Sequence, residues 1–218
     1  MIRKNSNTLY DALKADILAG QFAPGSKLKI EMLKKRYGKG VNVIRECLAR
    51  LATEDLVDFE DQKGFRTART TSSRLAELTR FRILLESDGL KHSIAKGDID
   101  WESRVIGAHH KLVYIENKMR EDEEKYSNAW SQCDWEFHQA LVSACGSTLH
   151  MTCHKRIFDQ FRQFVMVDLK TNGFRGNTII AEHKSIVDAA LRRDFDGCAR
   201  ALENHISHYL HKFTEDEY

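Results

Sequence analysis

Proline, glycine and long apolar runs are scarce in this sequence. Only one of the 218 residues is proline and 12 are glycine, so few residues interrupt helices and we expect a mainly α chain. No apolar run approaches the roughly 18 residues of a membrane-spanning helix. The N-terminus also lacks the charged, apolar and small segments of a secretion signal. These absences argue against a transmembrane or secreted protein. We expect a cytoplasmic protein that does not bind a membrane.

Paired cysteines are absent as well. The five cysteines lie at unrelated spacings within apolar helix patterns, and no Cys-x-x-Cys occurs. Disulfide frameworks and thiolate metal sites depend on regular or paired spacings, so neither is predicted. We expect buried free thiols at Cys47, Cys133, Cys145, Cys153 and Cys198.

Charge is distributed unevenly along the chain, although the net charge is only +2. Residues 1–70 contain 14 Lys or Arg and nine Asp or Glu, whereas the remainder contains 20 and 23. A length of 218 residues fits two small domains or one large one. A basic module joined to a mildly acidic body indicates nucleic-acid binding. Because the positive excess is modest, we expect two modules to act together, as a homodimer on double-stranded DNA.

The stretch from Tyr37 to Arg66 predicts a short helix followed by a two-stranded ribbon. Its apolar residues recur at steps of three and four, as on one face of a helix: Val41, Ile44, Leu48 and Leu51. Arg45 and Arg50 lie off this stripe and face outward. An outward Arg on a short helix can enter the major groove and bind guanine O6 and N7. The alternative is a solvated helix with two surface arginines.

The ribbon consists of two short predicted strands. Residues 56–59 and 65–68 have the composition of strands, and a turn at residues 61–64 joins them. The tip of this ribbon carries Lys63 and Gly64, which can reach a neighbouring groove or the DNA backbone.

A short positioning helix is predicted at residues 31–37. Its cations, Lys34, Lys35 and Arg36, are available to phosphates. Phosphate contacts determine register and salt dependence, while base contacts determine sequence choice. The alternative for this cluster is a solvated basic face.

The pattern changes to long helices after residue 70. We predict a DNA-binding domain at residues 1–70, a polar linker at residues 71–74 and a helical domain at residues 75–218. Five or six antiparallel helices in this last part can enclose a central pocket.

Four polar residues of the helical part lie on faces that also carry core residues. Asp134 and His138 are four residues apart, so they project from one helix face about one turn apart. His183 and His205 follow apolar residues at helical spacing. Burying these groups unpaired is costly, and a divalent cation would satisfy all four. One oxygen and three nitrogen donors suit Zn²⁺, Ni²⁺, Mn²⁺ or Fe²⁺ about equally. Scattered, hydrogen-bonded core histidines are the alternative.

A resemblance to the GntR family of bacterial repressors is carried by IRECLARLATEDLV and QKGFR. The chain from about Thr8 to Tyr209 resembles the FadR-type subfamily, which has a winged helix-turn-helix before an antiparallel, all-helical ligand-binding bundle. The family motif is Ser-x-Thr-Pro-Val-Arg-Glu-Ala-Leu. Its Ser, Thr, Pro and Ala are replaced by Gly40, Asn42, Val43 and Cys47. The resemblance implies that Arg45 reads DNA bases, that Asn42 also faces DNA and that Gly64 is the wing tip.

In the second domain the resemblance covers a metal site of one Asp and three His. The matching segments are DWEFHQAL, AEHKSIVDAAL and ALENHISHYL, which carry Asp134 with His138, then His183, then His205. His208 is a rival for the last position, one turn further on, but the family frame that precedes His205 selects His205. We expect surface or capping positions for the histidines without such a frame, which are His92, His109, His110, His150, His154 and His211.

One further element of the helical domain matches the family. Arg82 and Glu86, in RFRILLE, correspond to its Arg-x-x-Leu-Glu helix. Arg82 is either a clamp for an effector carboxylate or half of an intrahelical ion pair with Glu86.

The resemblance implies a transcriptional regulator, most often a repressor, whose operator binding is controlled by a small organic acid at the metal site. Regulators induced by carbon starvation and associated with glutarate-type acids share the pattern of RYGKGVNVIRE, QKGFR and ACGS, which implies a short dicarboxylate. One alternative is a metal-dependent helical-bundle enzyme with an accessory DNA-binding domain, since a metal held by such residues can activate water. Another is a regulator whose polar core is structural and whose effector is apolar.

Overall fold

The chain packs into two units. The computed structural model describes the backbone of residues 2–211 and the side chains of residues 8–210. Met1 and residues 212–218, the outer ends of the two predicted domains, lie outside the described residues. One cluster of buried apolar residues lies between Leu9 and Val57, and a second lies between Leu75 and Tyr209.

The first unit contains three helices and an antiparallel pair of strands. Its elements are α1 (Ile2–Leu18), α2 (Ile30–Tyr37), α3 (Val41–Thr53), β1 (Val57–Glu60) and β2 (Gly64–Thr67). The pairing runs from Val57 opposite Thr67 to Glu60 opposite Gly64. Each strand is displaced by one residue from its predicted limits. The displacement arises because Gln62 and Gly64 close the turn with φ of 61° and 81°, so Gly64 already belongs to β2.

The inner face of α3 packs against α1 and α2. Its buried residues are Ile44, Cys47, Leu48 and Leu51. Val41, predicted on this stripe, is only half-buried, while Cys47 is fully buried, since it lies three residues after Ile44 on the same face. From the partner helices, Leu13 and Leu33 fill the centre of this small core.

Residues 72–74 of the predicted linker are helical. Helix α4 begins at Ser72, and the side chain of Thr71 accepts a hydrogen bond from the backbone N–H of Arg74 at 3.3 Å. The polar residues of this segment therefore form an N-cap and a first helical turn, because Thr and Ser side chains satisfy the free N–H groups of a helix start.

The second unit is a bundle of six described α-helices and a final short 3₁₀ turn. These are α4 (Ser72–Lys96), α5 (Ile99–Met119), α6 (Glu123–Val142), α7 (Thr148–Asn172), α8 (Asn177–Leu191) and α9 (Phe195–Ser207), with the 3₁₀ turn at His208–His211. Side chains cap five of these helices, from Thr71, Asp98, Asp122, Ser147 and Asp194. The mainly α prediction of a helix-turn-helix with a ribbon, followed by an all-helical bundle, is confirmed.

Two smaller predictions concern thiols and membranes. All five cysteines are free, but only Cys47, Cys145 and Cys198 are buried, and the other two are half-buried. Among the described residues, no helix is both long enough and apolar enough to cross a membrane.

Candidate metal centre and DNA-binding face

Four helix-borne side chains converge inside the bundle. Asp134 and His138 come from α6, His183 from α8 and His205 from α9. One donor atom from each lies within 4.8 Å of the corresponding atoms of the others. The Asp134 Oδ1 atom is 3.4 Å from His183 Nε2 and 3.8 Å from His138 Nε2. The three imidazoles are buried, and the Asp134 side chain is 12% exposed.

A different glutamate binds the Nδ1 atom of each imidazole. His138 Nδ1 is 2.6 Å from Glu86 on α4, His183 Nδ1 is 2.7 Å from Glu116 on α5, and His205 Nδ1 is 2.8 Å from Glu182 on α8. A carboxylate accepts hydrogen bonds, so each Nδ1 donates a proton to its glutamate. In a neutral imidazole held in this way, Nε2 has the lone pair that a metal ligand needs.

The inward nitrogens of two imidazoles are buried. Nε2 of His138 has no hydrogen-bond partner among the described residues, and Nε2 of His183 faces Asp134 Oδ1 at 3.4 Å. Carboxylates that hold the outer nitrogen are typical of metal-binding histidines, because they fix the tautomer and the ring orientation.

The electrostatics of the site also fit a cation. Burial acts to raise the pKa of Asp134, but its hydrogen bond with His183 and nearby positive charges outweigh burial, and the pKa lies well below its usual value. Burial lowers the pKa of His138 and lowers that of His205 strongly. Burial also acts to lower the pKa of His183, yet hydrogen bonds with Asp134 and Glu116 raise it to about 9. The surroundings of Asp134 and His183 therefore favour a positive charge at this point of the bundle.

The donor set fits a divalent metal by size. Donor atoms at about 2.0–2.2 Å from one ion lie at most about 4.4 Å apart, close to the 4.8 Å limit of this cluster. A small contraction would complete the coordination. The predicted residues do meet at one point, and they are not histidines scattered through the core.

Arg82 and Glu86 form the intrahelical pair that was one of two alternatives. The Arg82 Nε atom lies 2.6 Å from Glu86 Oε1, and both side chains are at most 2% exposed. The guanidinium also lies over the rings of Phe158 and Phe161, at 4.4 and 4.7 Å from their centroids. Its Nη2 has no hydrogen-bond partner among the described residues. The ion pair thus leaves one buried donor for a ligand.

Sequence reasoning missed several residues around the four ligands. Glu86 binds His138 and also lies 3.2 Å from Nε2 of His154. His154 is fully buried on α7, so its predicted surface or capping role is wrong. Its position four residues before buried Phe158 could have indicated an inward face, just as Glu116 follows Leu112 by four residues. Glu182 has the same spacing to buried Ile186.

The outer face of α3 carries the predicted base-reading residues. Asn42 and Arg45 are exposed there, and Lys35 is exposed on α2. Gly64 adopts φ of 81° at the ribbon tip, where an added Cβ would meet no atom within 4 Å. The left-handed backbone, rather than crowding, is the reason for glycine at this position.

The remaining predicted DNA contacts have partners inside the first unit. Lys34 pairs with Glu31 at 2.9 Å and Lys63 with Glu60 at 2.7 Å, each within one turn of chain. Arg36 pairs with Asp16 at 2.8 Å and lies over the Phe22 ring. Arg50 lies over the Tyr10 ring, 4.0 Å from its centroid. This contact gives Arg50 a packing role between α3 and α1 that the sequence did not predict.

Comparison with known proteins identifies the family. Residues 5–66 match the family model for bacterial regulatory proteins of the gntR family, and residues 77–208 match the model of the FCD domain. The chain therefore belongs to the GntR family of bacterial regulatory proteins, with an FCD domain as its second unit.

Relatives and a solved structure agree with this family. The HTH-type transcriptional regulator BphR of Paraburkholderia xenovorans (strain LB400) is 32% identical over 205 residues, which cover 94% of this chain and 83% of BphR. The HTH-type transcriptional repressor GlaR of Escherichia coli (strain K12) is 30% identical over 200 residues, or 90% of each chain. The structure of E. coli McbR/YncC superposes with a TM-score of 0.79 at 16% identity, covering 95% of this chain and 97% of that one, and supports the fold.

The family defines the general activity. GntR regulators bind operator DNA and small-molecule effectors, and they are transcription regulators, not enzymes. This assignment argues against the alternative of a metal-dependent enzyme with an accessory DNA-binding domain.

Proposed function

We propose that this chain is a cytoplasmic repressor that binds a palindromic operator as a homodimer, and that a small organic acid bound at a divalent metal controls the binding. The observation that carries the proposal is the cluster of Asp134, His138, His183 and His205, whose donor atoms converge while glutamates hold the three Nδ1 atoms. Metal-binding histidines typically have such partners. Zn²⁺, Ni²⁺, Mn²⁺ and Fe²⁺ are equal candidates by ligand type.

Buried hydrogen-bond donors near Asp134 support an acidic effector. Nη2 of Arg82, Nε of Arg162 and Nε1 of Trp130 have no hydrogen-bond partner among the described residues. Guanidinium and indole groups only donate, so a ligand that satisfies them must accept hydrogen bonds, as a carboxylate does. The Asp134 charge interacts with both guanidinium groups, and Trp130 lies one turn before Asp134 on α6. Two arginines suit the two ends of a short dicarboxylate.

The first unit supports operator binding. The exposed Asn42 and Arg45 on α3 can face base edges. The exposed Lys35 and the ribbon-tip Lys63 suit phosphates. Two such units with recognition helices one helical turn of DNA apart would read a palindrome. The effector would favour a dimer arrangement whose helices no longer match successive major grooves.

Metal analysis tests the cluster directly. Wild-type protein prepared without chelator should contain about one divalent metal per chain. His183→Ala and His205→Ala should contain almost none, because each removes one of four ligands. His92→Ala is the matched control, since His92 is about half exposed on α4 and should leave the metal content unchanged. Full occupancy in both ligand variants would refute the site.

Thermal stabilisation tests the effector class. Short dicarboxylates from malonate to adipate should raise the unfolding temperature of the metal-loaded protein, because a ligand that binds only the folded state stabilises it. Pretreatment with a chelator should abolish the effect. If apolar compounds alone stabilised the protein, and chelator made no difference, the polar core would be structural and the proposal would fail.

A further inference from the structure

The two units meet along α7, and one residue of the first unit stands out at this contact. Asp55, two residues after the end of α3, adopts φ of 58°. This left-handed conformation costs a non-glycine residue free energy, although Asp tolerates it better than most residues do. Helix α7 contacts α1 and hydrogen-bonds to the segment that ends α3. The conformation of Asp55 is therefore held where the recognition helix ends.

Three side chains of the second unit hold Asp55. Its Oδ2 accepts hydrogen bonds from Arg156 Nη2 at 2.7 Å and from Gln160 Nε2 at 3.2 Å. Its backbone carbonyl accepts from Arg74 Nη2 at 3.2 Å, and the same Nη2 donates to Gln160 Oε1 at 2.9 Å. Gln160 also donates to the Glu54 carbonyl at 3.1 Å. We call this set of residues the α3–α7 contact.

The α3–α7 contact holds the two residues that follow α3. Side chains from α7 and α4 bind the carbonyls of Glu54 and Asp55. The backbone N–H groups of the same two residues donate to carbonyls of the last turn of α3. A displacement of α7 relative to the first unit would therefore move or release the end of α3.

The other face of the same α7 turn reaches the metal centre. His154 Nε2 lies 3.2 Å from Glu86, the residue that binds His138 Nδ1. The Phe158 ring lies 5.6 Å from the His138 ring and under the Arg82 guanidinium. His154 and Phe158 thus contact the site, while Arg156 and Gln160 contact α3.

A second ion-pair group joins the units beside this contact. Lys14 on α1 lies 2.6 Å from Glu54 and 2.9 Å from Asp159 on α7. These pairs lie beside the α3–α7 contact and do not include Asp55. The Asp55 and Arg156 side chains are 49% and 48% exposed, and solvent screens such a pair. It can therefore break and re-form during regulation.

We propose that Asp55 is a positioning residue: through Arg156 and Gln160 it makes the placement of the recognition helix depend on α7, and hence on the occupancy of the metal and effector site. This inference rests on the proposed function and assigns its route of regulation. It predicts that Asp55 can be altered without loss of metal binding or of operator binding. Operator binding should, however, no longer respond to occupancy of the metal and effector site.

Scanning calorimetry of the full chain with Mn²⁺ alone tests the coupling. Wild type should unfold in one transition that Mn²⁺ shifts upward, because the units unfold together. Asp55→Gly removes the side chain without backbone strain, since glycine accepts positive φ. It should give two transitions, of which Mn²⁺ shifts only one. Asp55→Asn keeps an acceptor and tolerates the same backbone, so it should retain a single transition.

A variant on the α7 side of the contact tests whether the effect of Asp55→Gly comes from the lost contact or from a local change at Asp55. Gln160→Leu should also give two transitions. Gln139→Leu is its matched control, because Gln139 is exposed on α6, and it should behave as wild type.

Operator titrations supply the functional readout. With a duplex selected from random sequences, wild-type affinity should fall severalfold when a short dicarboxylate is added to Mn²⁺-loaded protein, as is usual for allosteric coupling. In Asp55→Gly the change should shrink to about twofold or less, while Mn²⁺ affinity and acid-free operator affinity stay close to wild type.

The outcomes separate this inference from the proposed function. Two transitions in wild type, or a single Mn²⁺-shifted transition in both Asp55→Gly and Gln160→Leu, would overturn the role of Asp55. If neither Mn²⁺ nor any acid changed the unfolding temperature or the operator affinity of wild type, the proposed function would be overturned. The number of unfolding transitions in the variants would still decide whether Asp55 couples the two units.

Discussion

Three glutamates from three helices orient the imidazoles of the metal centre. Glu116 is fully buried, and its Oε1 lies 2.7 Å from His183 Nδ1. Glu116→Gln keeps an acceptor oxygen but removes the charge that makes the imidazole a stronger ligand. We expect a loss of about 10- to 100-fold in metal affinity, measured by competition with a chelator. Glu124→Gln, an exposed position at the start of α6, is the control. Equal affinity in both variants would show that Glu116 only fills space.

The pKa of His183 predicts proton release on metal binding. In the metal-free protein it is raised from 6.5 to about 9, because hydrogen bonds with Asp134 and Glu116 outweigh burial. A raised folded-state pKa stabilises the fold fully below about pH 6.5, and this stabilisation is lost as pH rises through about 9. A metal needs the neutral imidazole, so between these values it must displace the proton.

Isothermal titration calorimetry in buffers of different ionisation enthalpy measures this proton. At pH 7.5 we expect release of about one proton per Mn²⁺ bound, and an apparent affinity that rises by up to about tenfold per pH unit below pH 9. His138 and His205 contribute little, since burial lowers their pKa values. Binding without proton release would contradict the assignment of the proton to His183.

Arg45 on the outer face of α3 is the residue expected to read a base. Arg45→Ala should weaken operator binding by roughly 1–3 kcal/mol and relax base preference at one position. Lys35→Ala, by contrast, should weaken all sequences alike and reduce the salt slope by about one. Binding to a set of single-base operator variants at two salt concentrations distinguishes the two effects. If the Arg45 variant distinguished the single-base operator variants as well as wild type does, Arg45 would not contact a base.

At the scale of helices, close packing makes one glycine necessary in α4. A Cβ added at Gly89 would lie 2.6 Å from His150 Nε2 and 2.9 Å from Val142 Cβ. The histidine tip can move, but Val142 Cβ moves only with the backbone of α6. Gly89→Ala should therefore destabilise the protein by about 1–3 kcal/mol.

Gly107 in α5 is the matched control, because a Cβ there would meet nothing within 4 Å. Gly107→Ala should stabilise the protein by about 0.4–1 kcal/mol, since alanine reduces the entropy of the unfolded chain. Urea unfolding measures both variants. If Gly89→Ala were as stable as Gly107→Ala, the α4–α6 contact would be looser than its geometry implies.

The elements that local pattern determines were predictable. The stripe of Ile44, Leu48 and Leu51 indicated α3, and the turn before Gly64 indicated the ribbon, because both signals lie within a few residues. The start of α4 was not predicted, because polar residues such as Thr71 occur both in linkers and in caps. Inward positions of His183 and His205 followed from their apolar neighbours on α8 and α9.

Partners from distant elements were beyond the reach of the sequence. Glu182 and His205 are 23 residues apart, and Gln160 and Asp55 are 105 residues apart. No periodicity links such residues, since their contact depends on how whole helices pack. The Arg82–Glu86 pair was foreseeable from its four-residue spacing, but its extension to His138 and His154 was not.

At the scale of the whole molecule, the proposed metal centre and the proposed DNA-binding face occupy separate units. The four ligands lie on α6, α8 and α9, whereas Arg45 lies on α3, in a unit with its own apolar core. Removal of a metal should therefore leave the residues proposed to contact DNA intact. Any effect on the operator must pass through contacts between the units, such as those of Asp55 and Lys14 with α7.

Metal-free protein should accordingly bind its operator but respond poorly to the acid. An effector can shift the DNA-binding equilibrium only by its difference in affinity for the bound and released states. If the acid carboxylate binds at an open position of the metal, chelation removes most of that difference. Operator titrations with metal-loaded and metal-free protein, each with and without a short dicarboxylate, measure it as a ratio of dissociation constants. We expect the ratio to approach one without metal, while the affinity without acid changes little. If metal-free protein released DNA at the same acid concentration, the metal would hold the bundle together and Arg82 with Arg162 would be the whole acid site.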